Sequence, residues 1–217
     1  MKDFTHIGVV LDRSGSMSSV RDQTVDGFDE FVKKQQTEGD NASITVAQFD
    51  DQYDIVFDEK PINEVPSIKD IYEPRGMTAL LDAVGKTINF VGERLRKKSE
   101  ADRPDKVVFV IITDGYENAS REYTRERIFE MIRHQESKYK WEFIFLGANQ
   151  DAIKAGMSMG IKAGSSADYA QHNTQQAFNT VSNTVNKYRG MAASFRSAIN
   201  TGDAELFDED ERTELTE

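Results

Sequence analysis

Three oxygen-bearing side chains alternate where the first apolar run of the chain, IGVVL, comes to an end. Asp12, Ser14 and Ser16 place one carboxylate and two hydroxyls within five residues. Gly15 allows the backbone to turn tightly enough to aim them at one point. Hard oxygen ligands of this kind are those that magnesium prefers in proteins. The spacing therefore predicts a cation site, although a loop that caps the next helix explains the serines without a metal.

Two further residues of the same chemistry occupy comparable places later in the chain. Asp114 directly follows the apolar run KVVFVIIT and repeats the ending of the first run. Thr78 lies in RGMT, where a long helical pattern begins. The carboxyl ends of parallel strands meet at one edge of a sheet, and the binding crevice of such folds lies there. The candidate metal ligands expected at this edge are Asp12, Ser14, Ser16, Thr78 and Asp114.

Apolar periodicity predicts the elements that position these residues. Short runs rich in Val, Ile and Phe predict strands at residues 7–11, 43–49, 53–57, 106–113 and 141–146, with a short edge strand at 160–164. Spacings of three and four predict helices at residues 20–36, 78–95, 123–138, 151–159 and 174–200. The short gap between the second and third strands fits a hairpin. The expected fold class is α/β, a mostly parallel central sheet with one antiparallel edge strand and helices on both faces.

The C-terminal part of the chain is expected to differ from the rest. A single domain is predicted over residues 1–200, ending in the long helix at about 174–200, and residues 201–217 are predicted to be an acidic disordered tail. The long helix carries a narrow apolar stripe, which fits docking on the domain or a seam that pairs two chains. The segment DAELFDEDERTELTE holds eight acidic residues and one arginine, so the remainder of the chain is closer to neutral.

The overall composition limits the partners that the chain can have. With 38 acidic and 27 basic residues, the formal net charge is −11, which disfavours nucleic acid and anionic membrane surfaces. No apolar run approaches the roughly 20 residues of a membrane span, and the N-terminus lacks the pattern of a secretion signal. The absence of cysteine fits a reducing compartment. A cytoplasmic protein built around one core is therefore expected.

The motifs DRSGS, GMT and TDG, in this order and at these separations, resemble the von Willebrand factor type A (vWA) domain and its metal-ion-dependent adhesion site (MIDAS). The resemblance covers roughly residues 4–200, and the MIDAS motif looks complete. It implies a Rossmann-like fold in which Ser14, Ser16 and Thr78 ligate Mg²⁺ directly, with Mn²⁺ or Ca²⁺ as alternatives. Asp12 and Asp114 would hold the ion largely through water and hydrogen bonds. The wording DRSGSM is similar to that of intracellular bacterial and phage members.

This resemblance implies a non-enzymatic, cation-dependent protein-binding module. Neutral hydroxyl ligands leave magnesium electrophilic and with an open position, so a partner's Asp or Glu carboxylate would complete its coordination shell. The expected partner is thus a protein that presents an acidic residue, and neither nucleic acid nor membrane. The chain is expected to be a monomer, with a dimer through the C-terminal helix as the alternative.

Two other functions remain open at this level. A magnesium-dependent phosphohydrolase or phosphotransferase also places an aspartate after a first strand, but its second acid would stand where this chain has Ser14, and no GxxxxGK[ST] loop is present. A scaffold role in a chaperone-like or ribonucleoprotein assembly is the third hypothesis. Met77 departs from the small residue that many vWA domains have before the threonine, so it either narrows access or supplies an apolar rim. Acidic residues expected on the same rim, as a charged surround or as ordinary turn residues, are Asp50, Asp51 and Glu117.

Overall fold

A six-stranded sheet forms the middle of the computed structural model, which describes residues 3–148 and 151–216. Its strands are β1 (Thr5–Asp12), β2 (Ala42–Phe49), β3 (Tyr53–Pro61), β4 (Lys106–Thr113), β5 (Glu142–Ala148) and β6 (Ser166–Tyr169). They lie in the order β3-β2-β1-β4-β5-β6, and every neighbouring pair is parallel except β2 and β3. The expected mostly parallel sheet with one antiparallel edge strand is confirmed.

Helices cover both faces of this sheet. They are α1 (Arg21–Thr37), α2 (Leu80–Lys97), α3 (Arg125–His134), α4 (Ala152–Ser158), α5 (Thr174–Gly190), α6 (Ala193–Thr201) and α7 (Glu209–Thr216). β4 requires this double cover, because Val108 and Ile112 belong to one hydrophobic core and Phe109 and Ile111 to the other. The first core is closed by α1, α5, α6 and α7, and the second by α2, α3 and α4. Among the helices of the described residues, none has the length and hydropathy that crossing a bilayer requires.

The last edge strand begins later than the sequence predicts. Residues 160–164 are the predicted strand, whereas the observed strand is β6, in which Ser166 pairs with Phe145 of β5. Gly160 has a φ of 91°, and Ala163–Ser165 form a short 3-10 turn. Neither conformation is extended, and pairing with β5 begins only at Ser166.

The long C-terminal helix predicted at about 174–200 is two helices, α5 and α6, in the structure. Gly190 is the last residue of α5, and Met191 is extended, with φ −69° and ψ 139°. Glycine is among the weakest helix formers, which favours an interruption at this point. The apolar stripe of α5 packs on α1, where a Cβ at Gly27 would come within 2.6 Å of the Phe178 ring. The stripe is therefore buried in the core of the same chain, as the docking hypothesis predicts.

The C-terminal segment is folded over residues 203–216, which differs from the disordered tail expected from its charge. Leu206, Phe207 and Leu215 are buried, and the acidic residues between them remain at the surface. The backbone N–H of Ala170 donates to the carbonyl of Leu215 at 2.8 Å. Three apolar anchors thus provide enough burial to order a segment whose average composition is that of a solvated chain. Glu217 lies outside the described residues.

Candidate metal centre

The register of the sheet brings the two candidate aspartates to the same place. β1 ends at Asp12, β4 ends immediately before Asp114, and the two strands are parallel neighbours with Leu11 opposite Ile112. Thr78 lies two residues before the start of α2. The carboxyl edge of the sheet therefore gathers the side chains that follow two central strands and precede one helix, as the spacing of the motifs predicts.

All five candidate ligands meet at this edge. Ser14 Oγ lies 3.1 Å from Ser16 Oγ, which in turn donates to Asp114 Oδ1 at 2.5 Å. Asp12 Oδ1 accepts the backbone N–H of Ser14 at 2.6 Å, so this carboxylate fixes the turn that carries the serines. Only Ser16 is exposed, whereas Asp12, Ser14, Thr78 and Asp114 are buried.

Gly115 keeps the approach to the hydroxyl groups open. A Cβ at this position would lie 3.1 Å from Thr78 Oγ1 and 3.5 Å from Ser16 Oγ. These two oxygens therefore face a common space, and a larger residue at position 115 would crowd it. The glycine of the TDG motif has a steric role at the site, in addition to its place after β4.

The chemistry of this set of oxygens fits a hard divalent cation. In an octahedral magnesium shell with bonds of about 2.1 Å, adjacent oxygens lie about 3.0 Å apart, which is close to the observed separation of the two serine hydroxyls. Burial raises the pKa of Asp12 to about 6, with a smaller contribution from the nearby charge of Asp114, and burial also raises the pKa of Asp114. A bound cation would favour both charged forms. Among the described residues there is no group of three or more His, Cys, Asp or Glu side chains that could hold a metal, and the candidate site has only two carboxylates beside its hydroxyls.

Three residues outside the predicted set of ligands complete the surroundings of the aspartates. Thr113 Oγ1 donates to Asp12 Oδ2 at 2.6 Å, and the Tyr72 hydroxyl donates to the Asp12 carbonyl at 2.7 Å. Gln171 Nε2 donates to Asp114 Oδ2 at 2.7 Å and reaches the carbonyl of Ser16 at 3.3 Å. Thr113 was recognisable as the neighbour of Asp114, but no local pattern marks the other two.

Asp82 connects the start of α2 to the loop that follows β4. Its carboxylate accepts the backbone N–H groups of Arg121, Glu122 and Tyr123, each at 2.9 Å. The side chain lies in the first turn of α2, where the helix dipole also favours a negative charge. Two segments that carry candidate ligands are thereby held together by one buried group.

Glu117 and Asn118 strengthen the same connection. Glu117 accepts the backbone N–H of Leu81 at 2.9 Å, and Asn118 Oδ1 accepts the N–H of Thr78, also at 2.9 Å. The N–H of Asn118 donates to the Thr78 carbonyl at 3.0 Å. Glu117 is therefore engaged in holding the loop, and Thr78 is fixed on both its N–H and its carbonyl. The backbone position from which the threonine hydroxyl extends is thereby fixed on both sides.

Arg13, the basic residue inside the DRSGS motif, is turned away from the site. Its guanidinium group donates to Asp50 Oδ2 at 3.1 Å and to Asp54 Oδ2 at 2.5 Å. Asp50 is fully buried and also accepts Arg75 Nε at 2.8 Å, so its charge is matched by two guanidinium groups. Of the acidic residues expected on the rim, Asp51 is exposed, and its carboxylate lies against Gly76, which has a φ of 68°.

The fold and the site together define a Rossmann-like α/β domain with an oxygen-lined centre at the carboxyl edge of its sheet. The family model of the von Willebrand factor type A domain matches residues 6–165. The chain therefore belongs to the vWA family, whose members are often metal-dependent protein-interaction modules. A comparison with proteins of curated function finds no match.

Several solved structures share the fold. The vWF domain of the type V pilus tip protein Mfa5 from Porphyromonas gingivalis has a TM-score of 0.65 at 10% identity, covering 87% of this chain and 97% of that one. The pilus adhesin SpaC from Lactobacillus rhamnosus GG has a TM-score of 0.65 at 12% identity. The match covers 85% of this chain and 30% of SpaC. Proximal thread matrix protein 1 from the mussel byssus, in a structure with a zinc-occupied MIDAS motif, has a TM-score of 0.57 at 17% identity. The match covers 82% of this chain and 47% of the mussel protein. This chain thus spans less than half the length of the latter two proteins, and at such identities the likeness concerns the fold alone.

Proposed function

We propose that this chain is a cation-dependent protein-binding domain. In this proposal Ser14, Ser16 and Thr78 hold Mg²⁺ directly, and Asp12 and Asp114 hold it through water and hydrogen bonds. The bound ion would supply an electrophilic centre that accepts a carboxylate from an Asp or Glu of a protein partner. Mn²⁺ and Ca²⁺ are alternative occupants, and the zinc in the MIDAS motif of the mussel protein supports a site with broad tolerance for divalent ions.

The site combines neutral hydroxyl oxygens with charged carboxylate oxygens, and this combination is the main support for the proposed function. Three hydroxyls and two carboxylates converge there, so the residues supply less negative charge than an all-carboxylate cage. A divalent ion in such surroundings retains affinity for an external anion. The net charge of −11 disfavours nucleic acid, whose backbone is uniformly charged, more than it disfavours a protein that presents a single carboxylate.

The geometry of Asp12 argues against phosphoryl transfer. A nucleophilic aspartate must present a carboxylate oxygen to its substrate. Asp12 is 0% exposed, and its two oxygens accept hydrogen bonds from the Ser14 N–H and the Thr113 hydroxyl. A structural and ligand-orienting role is consistent with these contacts, which supports a binding domain over the magnesium-dependent phosphohydrolase.

Titration calorimetry with Mg²⁺ and Mn²⁺ tests the site. The wild-type chain should bind one ion, and the double variant Asp12→Ala, Ser14→Ala should lose at least about tenfold in affinity, which is about 1.4 kcal/mol. Ser18→Ala is the matched control, because Ser18 is exposed and belongs to the same turn. An affinity that is unchanged in the double variant would show that the ligands have been assigned wrongly.

A further inference from the structure

Two large apolar side chains stand exposed beside the candidate metal centre. Met77 is 50% exposed and precedes Thr78, whereas Tyr116 is 65% exposed and follows Gly115. The segments that carry them touch, since a Cβ at Gly115 would lie 3.1 Å from Thr78 Oγ1. Isolated exposed apolar residues are common on protein surfaces, so exposure alone has little meaning. The informative feature is their place in the chain, directly beside Thr78 and Gly115, which line one site.

The backbone under these two side chains is rigid. The N–H groups of Asn118 and Ala119 both donate to the Thr78 carbonyl, at 3.0 and 3.2 Å. Met77 and Tyr116 therefore lie on two segments that are hydrogen-bonded to each other, and at least half of each of the two residues is exposed. Aromatic residues and methionine are enriched at the centres of protein interfaces, where an ordered backbone reduces the entropic cost of binding.

Arg75 adds a positive charge to the same rim. Its Nε donates to the buried Asp50 and its Nη2 to Gln52 Oε1 at 3.1 Å, yet the side chain remains 51% exposed. The hydrogen bond from Gly15 N–H to the Gly76 carbonyl, at 3.1 Å, joins this segment to the turn that carries the candidate ligands. Asp50, Asp51 and Asp54 offset much of its charge, so the exposed part of the guanidinium group matters mainly as a directional hydrogen-bond donor for a carboxylate or carbonyl group of a partner.

We infer that Arg75, Met77 and Tyr116 form a selectivity rim for acidic protein segments in which a large apolar residue accompanies the metal-binding carboxylate. The carboxylate would meet the cation, the apolar side chain would cover Met77 and Tyr116, and a second acidic or carbonyl group would meet Arg75. This inference rests on the proposed function, because the carboxylate needs the ion. It goes further in stating what must stand next to that carboxylate.

Selection from a library of random short peptides tests the rim. The immobilised full chain is exposed to the library in Mg²⁺, and the bound peptides are released with EDTA so that only metal-dependent binders are scored. Acidic peptides with Leu, Phe, Tyr or Trp within two positions of an Asp or Glu should be enriched. The strongest binder is then measured by fluorescence anisotropy against a version in which its apolar residue is replaced by glycine.

The rim variants then separate this inference from the proposed function. Met77→Ala and Tyr116→Ala should each weaken the apolar peptide by roughly tenfold while the calorimetric Mg²⁺ affinity stays the same. Tyr139→Ala is the matched control, because Tyr139 is 55% exposed but lies in the turn after α3, away from the site. Acidic peptides without apolar enrichment, or a preference that survives both variants, would overturn the rim and leave the cation-dependent function standing. If EDTA released no acidic peptide, both would fall.

Discussion

Asp82 joins α2 to the loop after β4, and its replacement by asparagine should weaken that junction. The carboxylate is 8% exposed and accepts three backbone N–H groups, each at 2.9 Å. In Asp82→Asn, the amide oxygen can still accept two of these hydrogen bonds, but each is weaker by about 1 kcal/mol because the acceptor is no longer charged. The amide NH₂ group faces the third N–H, so two donors oppose each other at a cost of about 1 kcal/mol. The expected loss in the free energy of unfolding is therefore about 3 kcal/mol.

Urea unfolding followed by the fluorescence of Trp141 measures this loss, because Trp141 is the only tryptophan and is 4% exposed. The matched control is Asp26→Asn on the exposed face of α1, which should stay within about 0.5 kcal/mol of the wild type. The Mg²⁺ affinity of Asp82→Asn should fall as well, since Thr78 and Asp114 lie on the two segments that it joins. A free energy of unfolding equal to that of the control would refute the reasoning.

Three further substitutions probe other parts of the molecule. Gly76→Ala should destabilise the chain by about 1 kcal/mol or more, because Gly76 has a φ of 68°, which an L side chain rarely adopts. Gly190→Ala is the control and should not destabilise the chain, because nothing lies within 4 Å of the new Cβ. Equal melting temperatures of the two variants would contradict this prediction. Burial raises the pKa of Glu142 from 4.5 to about 7, so its contribution to stability is present below about pH 4.5 and is lost as the pH rises through about 7. In Glu142→Gln, the free energy of unfolding measured with urea should decline less between about pH 5 and about pH 8 than in the wild type. The exposed control Glu130→Gln should decline as the wild type does. A parallel decline in both variants would argue against Glu142 as the group responsible. Leu215→Ala should lower the free energy of unfolding by about 2 kcal/mol, since the side chain is fully buried, and an unchanged urea midpoint would mean that α7 contributes nothing to the fold.

The sequence predicted those parts of the fold that depend on local pattern. β1 and β4 are continuous apolar runs, and their parallel pairing follows from the alternation of strands and helices, so the meeting of Asp12 and Asp114 was predictable. Gln171 was not, because 57 residues separate it from Asp114 and a glutamine near a helix start has no distinctive pattern. The buried role of Asp50 was equally hidden, since its two guanidinium partners come from different loops.

Composition was a poorer guide than pattern near the C-terminus. Averaged over the last 15 residues, eight acids outweigh the apolar content, and the segment has the charge of a disordered chain. Stability depends on where the apolar groups fall, and Leu206, Phe207 and Leu215 all reach the first core. The interruption between α5 and α6 was missed for a related reason, because the three-and-four spacing continues through Gly190.

The contacts of α7 with β6 affect the tendency of this chain to self-associate through its sheet edge. β6 is the last strand of the sheet, and an open strand edge can pair with a strand of another molecule. Here Arg212 donates to the Ser166 carbonyl, and the Ala170 N–H is taken by the Leu215 carbonyl. One carbonyl of β6 and the N–H that follows the strand are thus occupied, and the acidic residues of α7 place a surface of like charge beside them. A chain shortened to Gly202 would uncover this edge and should aggregate more readily, so the acidic segment protects the sheet at one defined border.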